Sequence, residues 1–76
     1  MNVLAQGGGA SVFMVCRGLY EDVRTVVRVV DLQTGKASRE QYPDDLYASG
    51  QWHEVLPGTL TQSNLDSLSE LSGYAV

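Results

Sequence analysis

The sequence predicts an α+β fold, an antiparallel sheet of three to four strands with two helices packed on one face. Three observations predict it. Apolar residues alternate with a period of two across much of residues 10–31, glycine-bearing turns separate the alternating runs, and a leucine repeat at helical spacing follows only after residue 60. Strands first and helices afterwards is the order of a layer in which helices cover a sheet.

The first segment, residues 1–6, reads as a short strand that ends in Gly7-Gly8-Gly9, where glycine reaches positive φ without steric cost. "ASVFMVCRG", residues 10–18, sets Val12, Met14 and Cys16 on one side and Phe13 and Val15 on the other, as a strand covered on both faces would. From Val23 to Asp31, Val23, Thr25, Val27 and Val29 share the face expected to be core, and Arg24, Val26, Arg28 and Val30 share an amphipathic one. "QTGK" places Gly35 in a tight hairpin, and "ASREQY" returns as a polar edge strand.

Pro43 followed by Asp44 and Asp45 marks a helix start, because proline suits the first turn and acids there meet the positive end of the helix dipole. Gly50 weakens that helix and Pro57 ends it, leaving Leu46, Trp52, Val55 and Leu56 as its anchors. In the last element Thr61 caps, Leu60 and Leu65 form a hydrophobic staple, Leu65, Leu68 and Leu71 recur every third residue, and Gly73 stops the helix. Residues 74–76 then read as dispensable.

Seventy-six residues are one domain, residues 1–76, with a core just sufficient to fold alone. A hydrophobic fraction of 43% against 18% charged residues excludes a wholly disordered chain. One cysteine makes no internal disulfide, no apolar run approaches the ~20 residues of a membrane span, and the N-terminus lacks the marks of a secretory leader. The expectation is a soluble protein of a reducing cytoplasm, a monomer or a weak homodimer. Its charge is uneven: residues 1–39 carry five bases and three acids, residues 40–76 six acids and no base. Such a surface disfavours nucleic acid and suits a basic protein partner, while also serving solubility.

The sequence offers little for catalysis. The only histidine, His53, falls in the expected first helix, and Cys16 falls inside an apolar strand, so neither a Cys-His pair nor a zinc site is predicted, and the chain is expected not to be an enzyme. The glycine tract lacks the lysine of a phosphate loop. No cofactor, metal or direct nucleic-acid contact is predicted. Tyr20, Arg24, Arg28 and Asp31, within "YEDVRTVVRVVD", remain as candidate partner-binding residues, since tyrosine and arginine are favoured anchors of protein interfaces. The alternative for them is a solvated face whose arginine stems cover apolar neighbours.

"YEDVRTVVRVVD", the "TGK" hairpin and the later "W...LPG" together resemble the small type I-F anti-CRISPR proteins of Pseudomonas phages that coat the backbone of the surveillance complex. That family likewise has Tyr-Glu opening a strand, an acid at the position of Asp31, a Gly-Lys turn like Gly35-Lys36, and a Trp and a Leu-Pro-Gly spaced as Trp52 and Leu56-Pro57-Gly58 are. The resemblance spans most of residues 12–72, with one turn a residue shorter. It implies a four-stranded antiparallel sheet backed by two antiparallel helices. It also implies binding, in the cytoplasm of an infected bacterium, to a backbone subunit of a type I surveillance complex, so that target DNA cannot hybridise with the guide RNA. Tyr20 would pack against that subunit and Asp31 would pair with one of its bases. Two features depart from the family: its tyrosine on the first strand has no counterpart in Ala5-Gln6-Gly7-Gly8, and Gly50 interrupts its first helix. The alternatives are an interaction module that binds a basic host protein through Asp44, Asp45, Glu54, Asp66 and Glu70, and, ranked last, an enzyme working through Cys16 or His53.

Overall fold

The computed structural model describes residues 2–7, 11–20, 22–47, 51–56 and 58–76. In chain order the elements are β1 (Val3–Gln6), β2 (Val12–Arg17), β3 (Val26–Asp31), β4 (Lys36–Ala37), α1 (Pro43–Tyr47), β5 (Trp52–Glu54) and α2 (Gln62–Ser72). All strands pair antiparallel in one sheet of order β4-β3-β2-β1-β5. The α+β class and the antiparallel sheet agree with the sequence expectation. The sheet has five strands, one beyond the three to four expected.

The fifth strand lies where a helix was expected. Trp52, His53 and Glu54 pair with Gln6, Ala5 and Leu4, covering the backbone groups that would otherwise leave β1 as a bare edge. The first helix is therefore confined to Pro43–Tyr47, with Asp44 and Asp45 in its first turn. Leu56, an expected anchor, is 71% exposed. The triple-glycine turn lies mostly outside the described residues, but Gly7 has φ 22 and donates its N–H to the Gln51 carbonyl at 2.7 Å, tying the end of β1 to β5.

The core occupies both faces of the sheet. On one face Val3, Ala5, Phe13, Val15 and Val30 pack with Val55, Leu68 and Tyr74, flanked by Leu60 and Leu71. On the other, Leu4, Met14, Cys16 and Val27 are covered by Tyr20, Leu46 and Trp52. So α2 and α1 cover opposite faces, a departure from the expected arrangement of both helices on one. This is why the valines of β3 are buried in both phases: Val27 and Val30 are each inaccessible to solvent. Val23, expected in the core with them, is 93% exposed because the strand begins only at Val26.

The β3–β4 hairpin closes with Gly35 at φ 72 and its N–H on the Asp31 carbonyl at 2.8 Å. Beyond Ala37 the returning chain carries one extra residue: Val30 faces Ala37, but Val27 faces Gln41. Ser38 fills this bulge, its hydroxyl accepting from Val29 N at 2.9 Å. α2 keeps to the expected capping pattern. Thr61 Oγ1 accepts from Asn64 N at 3.1 Å, and Gly73, at φ 73, donates to the Ser69 carbonyl at 2.9 Å.

Candidate partner-binding surface

The four residues singled out in the sequence do not form one surface. Tyr20 is half-buried, its ring set against the Leu4–Met14–Cys16–Val27 cluster. Arg24 lies in the turn before β3, exposed, with its N–H on Asp22 Oδ1 at 3.0 Å. Asp31 stands at the opposite end of β3, about 17 Å along the strand from Val26 at the usual rise per residue. There its Oδ1 accepts from Gln33 N at 2.8 Å and Thr34 N at 3.3 Å, so it holds the hairpin turn. Arg28 belongs to the α2 face and is engaged within the fold.

Arg28's partner is Tyr74, which the sequence marked as dispensable and the structure buries to 7% exposure. The left-handed Gly73 turns the chain back over the sheet, and Ser72 Oγ accepts from Tyr74 N at 3.1 Å. The phenol donates to Glu40 Oε1 at 2.5 Å and accepts from Arg28 Nε at 3.4 Å. The guanidinium carbons of Arg28 and Arg17 lie 5.6 and 5.9 Å from the ring centroid. Burial pushes the Tyr74 phenol above its ordinary range and the hydrogen bond to Glu40 pushes it further, against the opposing pull of Arg28.

The surface with the marks of an interface lies beside Arg24, at the end of the sheet where two connections meet. Leading into β3, Asp22 N bonds the Leu19 carbonyl at 3.1 Å, Thr25 N bonds the Asp22 carbonyl at 2.9 Å, and the Thr25 hydroxyl donates to the Leu19 carbonyl. From the other side, the Val27–Gln41 bridge, with both N···O distances at 2.9 Å, carries Tyr42, Pro43 and Asp44 alongside. Asp22, Val23, Thr25, Tyr42, Pro43 and Asp44 line a notch of about 130 Å³. Val23 and Tyr42 on its lining are 93% and 62% exposed, and Leu19, whose carbonyl accepts from Thr25, is 75% exposed. Single exposed apolar side chains are ordinary; three together on turns fixed by their own hydrogen bonds make a preformed contact patch. Leu19, Val23 and Tyr42 were not singled out from the sequence. The signal available was two large apolar residues, Leu19 and Val23, close together in an otherwise polar stretch of sequence.

Cys16 is fully buried, and burial pushes its thiol up from 9.0 to about 11. His53 lies on β5, opposite Ala5 and hence on the α2 face, whereas Cys16 lies on the other face two strands away. Thiol and imidazole are therefore not brought together. Among the described residues no cluster of three or more His, Cys, Asp or Glu could hold a metal, and no helix is long and apolar enough to cross a membrane. Compared with known proteins, the chain matches no family model, no curated protein and no solved structure.

Proposed function

We propose that the chain works by binding another protein, without chemistry of its own, through the patch of Leu19, Val23 and Tyr42. The observation that carries this is the exposure of those three side chains around a notch whose turns are held by internal hydrogen bonds. Exposed apolar and aromatic groups on rigid turns lose little conformational freedom on binding, which is what an anchor requires.

The partner we propose is a backbone subunit of a type I CRISPR surveillance complex, on the strength of the resemblance carried by residues 20–31, the Gly35-Lys36 turn and Trp52 with Leu56-Pro57-Gly58. Bound there, in the cytoplasm of an infected bacterium, the chain would keep target DNA from hybridising with the guide RNA. The architecture differs from the one the resemblance implies, with five strands and helices on opposite faces. Tyr20 and Asp31, the residues it singles out, pack on the sheet and hold a turn. The contact is accordingly moved from Tyr20 and Asp31 to the turn before β3, which carries Arg24.

The test is capture of purified type I-F, I-E and I-C complexes by the tagged protein. The expected result is capture of at least one complex, lost in a Val23→Arg, Tyr42→Ala double variant whose circular dichroism is unchanged. Capture that survives this variant but fails in Asp31→Lys moves the contact to the hairpin end. Capture of none of the complexes overturns the proposed partner.

A second reading rests on the exposure of Asp44, Asp45, Glu54, Asp66 and Glu70, an acidic surface for a basic host protein. It predicts that Asp66→Lys weakens binding and that added salt abolishes it. The surveillance-complex reading predicts that Asp66→Lys is neutral.

A further inference from the structure

The notch has a chemistry of its own. Val23, Pro43 and Tyr42 supply apolar and aromatic wall, and Asp22 and Asp44 supply two acidic side chains, one from each connection. Asp22 already accepts the Arg24 N–H through Oδ1, which fixes the direction of its carboxylate and leaves Oδ2 available. The nearest base in sequence, Arg24, is exposed and not among the residues lining the notch. A pocket with an aromatic wall and two acids complements a cation that is flat, stacks and donates several hydrogen bonds in one plane. Guanidinium meets all three requirements and ammonium meets fewer.

We infer that the notch receives an arginine side chain of the partner protein, its guanidinium lying against Tyr42 and bridging Asp22 and Asp44. The inference rests on the protein-binding reading above and supplies what that reading lacks, the group on the partner that is recognised. A surface that holds nucleic acid is rich in arginine, so a chain with an arginine-selective notch and a net charge of −4 suits a protein whose bases face a phosphate backbone.

The test is a titration of the isotopically labelled protein, followed by amide chemical shifts, with N-acetyl-arginine methylamide, its lysine counterpart and its uncharged citrulline isostere. The expected result is a saturable response confined to residues 22–25 and 42–45 with the arginine probe, weaker with lysine and absent with citrulline. An Asp22→Asn, Asp44→Asn double variant keeps an acceptor for the Arg24 N–H and is expected to weaken the arginine response about tenfold, the equivalent of one charge-assisted hydrogen bond. An equal response to citrulline, a response unchanged in the double variant, or none at millimolar probe overturns the inference. The two proposals fail separately: capture of a surveillance complex with no arginine response leaves the partner and removes the notch, and an arginine response with no complex captured does the reverse.

Discussion

Tyr74 meets the sheet through Glu40 and Arg28, residues 34 and 46 positions earlier in the chain. That separation explains why three terminal residues after a helix stop read as dispensable: nothing in Gly73-Tyr74-Ala75-Val76 signals a contact made so far away. Tyr74→Phe keeps the ring beside both guanidinium groups and removes both hydrogen bonds. It should lower the free energy of unfolding by roughly 0.5–1.5 kcal/mol, read from urea midpoints. Cys16 gives a sharper pH signature. Its thiol is raised to about 11 in the fold, so the unfolded chain loses its proton first. The associated stability is complete below about pH 9 and is lost as the pH climbs towards 11, a decline of roughly 2–3 kcal/mol for a shift of that size. Tyr74, also raised, adds to the decline at higher pH. The Cys16→Ala chain, though less stable at neutral pH, should show a flatter profile above pH 9 in thermal melts.

At the scale of elements, legibility follows the range of the interactions. α2 could be read because its instructions are local: Thr61 caps the Asn64 N–H, the leucines recur at helical spacing, and Gly73 adopts the left-handed turn. The hairpin at Gly35 and both covered faces of β2 were legible for the same reason, one from turn chemistry and the other from strict alternation. β5 was not. Trp52, His53 and Glu54 become a strand only because Gln6, Ala5 and Leu4 present an open edge, and without that partner Trp52 and Val55 fit the spacing of a helix. The bulge opposite Val29 is hidden in the same way, since its register depends on β3. Thr61→Ala should cost about 1 kcal/mol through the lost cap. Gly73→Ala should cost about 1–2 kcal/mol at a left-handed position, and because it also misdirects Tyr74, its effect should shrink in a Tyr74→Ala background when the two are measured as a thermodynamic cycle.

Across the whole molecule, the acids of residues 40–76 are spread over α1, β5, α2 and the segment before α1, whereas exposed Leu19, Val23 and Tyr42 lie at one end of the sheet, where Asp44 joins them. That end was only half legible. Arg24 and Tyr20 belong to one of the two connections that form it, but Tyr42, Pro43 and Asp44 come from a connection about twenty residues later, delivered by the pairing of Gln41 with Val27. The central claim, that this end is the binding surface, is tested most directly by amide hydrogen exchange of the chain with and without the surveillance complex that captures it. The account predicts slowed exchange across residues 19–25 and 42–45 and little change in α2. Unchanged exchange at those turns, with slowing at Trp52–Glu54 or along α2, would contradict it.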